Sequence, residues 1–138
     1  MGETDLSRSG AKMLKEKFPC IRITRHHCGW AKGLQGGRIY LGEEGWADRL
    51  GFLPDGRFFA IEFKEKGAKT NKNREEKQNK FLKDVNNCGG VGLKIDSLYE
   101  LASKLIKILD CEHGRYRECE GCPMFAVRRK KEKLNELN

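Results

Sequence analysis

The chain has 138 residues, which fits one compact domain with a short appendage. Its 28 Lys and Arg residues against 20 Asp and Glu residues give a net charge of +8. No apolar run approaches the roughly 18 residues of a membrane span, and the first residues lack the basic and apolar segments of a secretion signal. From these features we expect neither a membrane-embedded nor a secreted protein, but a cytoplasmic globular protein with a polyanionic partner.

The order of the predicted elements indicates the fold class. Apolar periodicity, capping residues and turn signals predict, in chain order, a helix over 5–18, a strand over 20–24, a glycine-rich mobile loop over 29–37, a hairpin over 47–64, a helix capped by Asn73 that ends near Asn87, a strand over 91–95 and a helix after Ser97. The order is helix, three strands, helix, strand, helix. It predicts an α/β domain, with a mixed central sheet flanked by helices, over residues 1–110.

The turn of the predicted hairpin sets the register of its two strands. Pro54–Gly56 suits a three-residue loop in which the glycine adopts a left-handed conformation. Such a loop pairs Leu53 with Arg57, and counting outward places Asp48 opposite Glu62. A two-residue Asp-Gly turn would instead put the two carboxylates on opposite faces of the sheet. The register therefore decides whether they can act together.

With the three-residue loop, Asp48, Glu62 and Lys64 share one face of the hairpin. Two facing carboxylates repel each other unless a positive charge lies between them. A hard divalent cation meets this need, bound by both carboxylates, by a backbone carbonyl such as that of Phe63, and by water. Lys64 could then position or deprotonate a water molecule. The alternative is a cross-strand salt bridge between Lys64 and the acids.

Several short motifs resemble one nuclease family. They are the stretch Gly45–Asp48, the strand from Gly56 to Lys64, Gln78 followed by Phe81 and Leu82, and Gly89–Gly90 before an apolar strand. In order and spacing, residues 3–108 resemble the VRR-NUC family, phage-type and repair-type members of the restriction-endonuclease-like PD-(D/E)XK nucleases. The sequence departs from the family pattern at Ala47, where a proline is common, and in the longer, basic loop 65–77.

The resemblance implies the topology α-β-β-β-α-β-α and a DNA nuclease that depends on Mg²⁺ or Mn²⁺. Asp48, Glu62, Lys64 and Gln78 would be catalytic, and the first helix would bring a glutamate near the metal. Glu3 is the candidate for that glutamate, with Glu16 as the weaker alternative. A structure-selective or nicking activity, a homodimer and a bacterial or phage-infected host cell would fit such a protein.

Basic residues are concentrated in two stretches, 64–83 and 126–138. Together with an arginine near the first strand, they form the predicted DNA-binding set: Arg25, Lys66, Lys69, Lys72, Arg74, Lys77, Arg128, Arg129 and Lys130. The alternative is a solvated helix face and a charged tail.

Residues 111–125 form a predicted zinc module ahead of the basic tail 126–138. Cys119 and Cys122 form a Cys-x-x-Cys pair before a proline, and Cys111 and His113 could complete a tetrahedral site for structural Zn²⁺. Free thiols or a redox pair are the alternatives. A non-catalytic nucleic-acid-binding module that uses this tail is the competing function, and a nuclease fold without activity is a third.

Overall fold

The structure is a computed structural model that describes residues 2–109, apart from the side chain of Glu3. Its elements are α1 (Glu3–Lys17), β1 (Arg22–Arg25), β2 (Gly29–Lys32), β3 (Arg38–Leu41), β4 (Arg49–Phe52), β5 (Phe58–Phe63), α2 (Lys72–Asn87), β6 (Val91–Ile95) and α3 (Leu98–Leu109). None of the helices within this part of the chain is both long and apolar enough to cross a bilayer.

The main sheet has four strands in the order β1-β4-β5-β6. Strand β4 runs antiparallel to β1 and to β5, whereas β6 runs parallel to β5. Parallel neighbours need a long crossover, and α2 supplies it between β5 and β6. The predicted α/β class, with a mixed sheet flanked by helices, is confirmed.

Strand β5 is buried on both faces, and its alternation separates two environments. Phe59, Ile61 and Phe63 belong to the larger apolar cluster, which α1 and α3 complete. Ala60 packs on the other face, against Leu82 of α2. Because side chains alternate along a strand, Glu62 lies on the α2 face as well.

The β4–β5 connection has the predicted three-residue form. Leu53 N donates to Arg57 O at 2.9 Å, and the first strand pair is Phe52 with Phe58. Gly56 has φ of +85°, which favours glycine. The Asp55 carboxylate accepts from both the backbone N and the Nε of Arg57, at 3.0 and 2.7 Å, and these contacts fix the loop.

The prediction of a mobile loop over 29–37 is wrong. Strands β2 and β3 form a separate two-stranded antiparallel sheet, called here the ribbon (residues 29–41). Three of the four glycines, at 33, 36 and 37, lie in its turn, where Gly33 N donates to Gly37 O at 2.6 Å. Glycine density thus marked a turn between two strands. Five strands, not three, precede α2, two of them inserted between β1 and β4.

The N-cap of helix α2 lies two residues before the predicted cap, Asn73. Its N-cap is Asn71, whose side chain accepts from Asn73 N at 3.0 Å, so the predicted capping box of Asn73 and Glu76 is wrong. The predicted end at Asn87 is confirmed. At the start of α3, Ser97 Oγ accepts from Glu100 N at 3.2 Å, as the second capping box predicts.

Candidate active site

Two carboxylates meet at one end of the sheet, at the point where β4 begins and β5 ends. Arg49 pairs with Ile61, so the next positions outward bring Asp48 opposite Glu62. Asp48 N donates to Glu62 Oε2 at 3.1 Å, and Phe63 N donates to Asp48 Oδ2 at 3.1 Å. The two acids therefore hold each other's strands in register, on the same side of the hairpin as the sequence predicts.

Lys64 directly follows β5 and lies beside Glu62. Its Nζ lies 3.4 Å from Glu62 Oε1, and the Lys64 side chain is only 11% exposed. Its backbone N donates to Ile95 O at 2.8 Å, so the pairing of β5 with β6 fixes this position. An ammonium group is thus fixed within ion-pair distance of a buried carboxylate.

Gln78 is a polar residue on the buried side of α2, which it shares with Leu82 and Val85. It is 2% exposed, and its Oε1 has no hydrogen-bond partner among the described residues. A buried amide oxygen without a partner costs free energy. Packing of α2 therefore does not account for Gln78, whose presence on the buried side was predicted.

The environment of Glu62 opposes its negative charge. Burial is the first cause and the nearby Asp48 carboxylate the second, and together they raise the pKa of Glu62 to about 7 against the opposing effect of Lys64. Glu62 Oε1 is buried and accepts no hydrogen bond among the described residues, although the Lys64 ammonium faces it. Glu62 is thus a buried carboxylate with a second carboxylate beside it and one ammonium group to offset its charge.

The donor set suits a hard divalent ion that keeps part of its water shell. Among residues 2–109, leaving aside the side chain of Glu3, no group of three or more His, Cys, Asp or Glu side chains gathers at one point. Mg²⁺ needs fewer, because it is commonly bound by one or two carboxylates plus water and substrate phosphates. Asp48 and Glu62 each use one carboxylate oxygen in a backbone hydrogen bond, and the second oxygen of Glu62 faces the Lys64 ammonium at 3.4 Å. The N–H and C=O of a strand residue point to the same edge, so we expect the Phe63 carbonyl to face Asp48.

A basic cavity of about 210 Å³ opens beside Asp48. It is called here the arginine cavity, and it is lined by Thr4, Ser7, Arg8, Arg25, Asp48, Arg49 and Arg74. Arg25 and Arg49 lie directly opposite each other in the β1–β4 pair, an unfavourable placement for like charges. Burial, followed by the charge of Arg25, lowers the pKa of Arg49. Four guanidinium groups around one small cavity favour an anion.

Two of the four arginines that line the arginine cavity were predicted from the sequence. Arg25 and Arg74 belong to the predicted DNA-binding residues, whereas Arg8 and Arg49 were missed. Arg49 Nε donates to Ser7 Oγ at 3.2 Å, which links the start of β4 to α1. The available signal was the register, because the hairpin that aligns Asp48 also places Arg49 at the sheet end.

The remaining predicted DNA-binding residues within the described part of the chain are exposed. Lys69 and Lys72 lie in or next to the long loop before α2. Lys66 pairs with Asp96 at 3.5 Å and Lys77 with Glu44 at 3.0 Å, as is common for surface charges.

The first helix brings its N-terminal turns to the site. Thr4, Ser7 and Arg8 line the arginine cavity, which places the backbone of Glu3 at that end. Glu16 lies near the opposite end of α1, roughly 20 Å farther along the helix at about 1.5 Å per residue, and pairs with Lys12 at 3.9 Å. The position of α1 favours Glu3 over Glu16 as the predicted helix glutamate.

The other predicted sites lie outside the described residues. These are the zinc ligands Cys111, His113, Cys119 and Cys122 and the basic tail residues Arg128, Arg129 and Lys130. They stay predictions from the sequence.

No protein-family model, no curated protein and no solved structure matches this chain. The resemblance to the VRR-NUC family therefore stays a prediction. The geometry of Asp48, Glu62 and Lys64 does not depend on that resemblance.

Proposed function

We propose that this chain is a deoxyribonuclease that uses Mg²⁺ or Mn²⁺ to hydrolyse phosphodiester bonds. The observation that carries the proposal is the meeting of Asp48 and Glu62 on one side of a sheet end, beside the Lys64 ammonium. A fold does not need this arrangement, because facing acids and a buried lysine are costly where apolar side chains would serve. Such cost is typical of a functional site.

In this proposal, the carboxylates of Asp48 and Glu62 would hold the divalent ion. When bound, the ion polarises the phosphodiester and lowers the pKa of a water molecule. Lys64, fixed against Glu62, orients the attacking water and balances the negative charge that develops on the phosphate. The buried amide of Gln78 offers a further polar group that orients the water.

The arginine cavity supports a nucleic acid as the substrate. It adjoins Asp48, and the described side chains form no ion pair with its guanidinium groups. A phosphate of the DNA backbone supplies the missing negative charge, and guanidinium groups bind phosphate in bidentate fashion. The cavity would thus hold the strand while the acids act on a neighbouring phosphate.

The test is cleavage of supercoiled plasmid and of single-stranded, nicked, flapped and four-way-junction DNA in Mg²⁺ or Mn²⁺. We expect Glu62→Ala and Lys64→Ala to lose cleavage by at least about 10³-fold, a barrier increase of roughly 4 kcal/mol. DNA affinity measured in EDTA should stay within about twofold, because the arginine cavity is unchanged. Glu76→Ala, which removes an exposed carboxylate of α2, is the matched control and should cleave normally.

Two outcomes would reject the nuclease proposal. Equal cleavage by the wild type and both variants would assign the activity to a contaminant. Salt-dependent DNA binding without cleavage of any substrate in either ion would favour the non-catalytic nucleic-acid-binding module instead.

A further inference from the structure

The ribbon carries an aromatic and cationic face that the proposed catalytic groups do not use. Its register places Trp30 opposite Tyr40 and Lys32 opposite Arg38. Because residues two apart share a face, these four side chains lie on one side, and Ala31 and Ile39 lie on the other. The pattern is two aromatic rings followed by two positive charges.

This face is turned to solvent although its rings are large. Trp30 is 65% exposed and Tyr40 is 48% exposed. Their centroids are 5.3 Å apart with an interplanar angle of 79°, and the Arg38 guanidinium carbon lies 5.6 Å from the centroid of Trp30. The Tyr40 hydroxyl is 3.1 Å from Cys28 Sγ, which holds the second ring in place. Exposed rings arranged in this way add little to the core, and about half or more of each side chain stays open to a ligand.

The ribbon leaves and rejoins the main sheet at the end that carries the candidate active site. It is inserted between Arg25, which lines the arginine cavity, and Asp48. Its two legs touch at their base, where Gly42 has φ of +73° and a Cβ would lie 2.0 Å from His27 O. A side chain at position 42 would therefore force the legs apart.

A stack of rings fastens this base to the helix that carries Gln78. Trp46 stacks on His26, with ring centroids 5.7 Å apart, and on Phe81 of α2 at 4.9 Å. Since Phe81 lies one turn after Gln78, the position of the ribbon is tied to that of the site. A DNA strand that reaches Asp48 and Glu62 can therefore also contact the ribbon.

We propose that the aromatic and cationic face of the ribbon binds unpaired nucleotides of the substrate. Bases stack on Trp30 and Tyr40, and the adjacent phosphates pair with Lys32 and Arg38. Paired bases already stack on their neighbours and offer no free ring face, so a duplex could use only the two cations. This inference rests on the proposed function and names its substrate class: DNA with a single-stranded segment next to the cleaved bond.

The experiment measures the affinity of the full chain for a single-stranded oligothymidylate and for a duplex of equal length, by fluorescence anisotropy in EDTA. Trp30→Ala should weaken binding of the single strand about 5- to 150-fold, the range for loss of one stacked base. Binding of the duplex should change less than about twofold, since phosphate contacts remain. Trp30→Phe keeps a ring and should restore most of the affinity for the single strand.

Ile39→Ala is the matched control, because it removes an apolar side chain from the opposite face of the same ribbon. It should bind both ligands like the wild type. Thermal unfolding of each variant should match that of the wild type, as expected for a ring that is 65% exposed.

Three results would overturn the inference: unchanged affinity of Trp30→Ala for the single strand, an equal loss on both ligands, or a changed oligomeric state in sedimentation without a loss of binding. The last would assign the face to a second copy of the chain. Because binding is measured without a divalent ion, this inference and the nuclease proposal fail separately. Glu62→Ala should retain the preference for the single strand that Trp30→Ala loses.

Discussion

The main sheet is covered by large apolar side chains on one face and by a partly polar helix on the other. Among the described residues, the sheet face covered by α1 and α3 is part of a cluster of 13 buried apolar residues. The face covered by α2 is part of a cluster of four. The α2 face also carries buried Glu62 and Gln78, with Lys64 at the strand end. Since apolar burial supplies most folding free energy, the first face stabilises the fold. The second gives up some of that stability, as expected if it carries the proposed chemistry.

The largest expected effect breaks the apolar face. Phe59 is fully buried between β5 and the helices α1 and α3, so Phe59→Ala should lower the free energy of unfolding by about 3–5 kcal/mol. On the other face, Leu82→Ala should cost about 2 kcal/mol, because its cluster is smaller and can close around the gap. Urea unfolding of both variants measures the difference. Equal losses would contradict the division of roles between the faces.

The pH dependence of stability sharpens the same comparison at Glu62. Its folded pKa is raised from 4.5 to about 7, so the folded state binds the proton more tightly than the unfolded state. Without divalent ions, this stabilising contribution is complete below pH 4.5 and is lost as the pH rises through about 7. Its size is at most about 3 kcal/mol. Urea unfolding in EDTA from about pH 5 to about pH 8 measures it.

Glu62→Gln is the control for this profile, since the amide keeps the shape and does not titrate. Its stability should depend less on pH than that of the wild type, and addition of Mn²⁺ should stabilise only the wild type at the upper end of the range. Parallel profiles of the two proteins would contradict a raised pKa at Glu62.

At Gln78 we expect a substitution that raises the free energy of unfolding, whereas Phe59→Ala and Leu82→Ala lower it. Gln78→Leu removes the buried amide oxygen without a partner among the described residues, and should raise the free energy of unfolding by about 1–2 kcal/mol. The same change should lower metal-dependent cleavage. Glu76→Leu, at an exposed position of α2, controls for the general effect of a leucine in this helix. Lower stability of Gln78→Leu would show that the amide is satisfied in the folded protein.

The sequence predicted those features of the structure that a few adjacent residues determine. Pro54–Gly56 determines a loop of known length, so the register, and with it the meeting of Asp48 and Glu62, followed from a few adjacent residues. The arginine cavity draws on α1, β1, β4 and α2, and no local pattern joins Arg8 to Arg74. The ribbon was missed for a different reason, because glycine favours both a mobile loop and a tight turn.

The smallest effect concerns the start of α2, where sequence and structure differ by two residues. Asn71 caps the helix by accepting from Asn73 N, so Asn71→Ala should lower the free energy of unfolding by about 1 kcal/mol. Asn73→Ala, at the predicted cap, should change it by less than about 0.5 kcal/mol, because that side chain is exposed within the first turn. Urea unfolding separates the two. A larger loss at Asn73 would restore the predicted capping box.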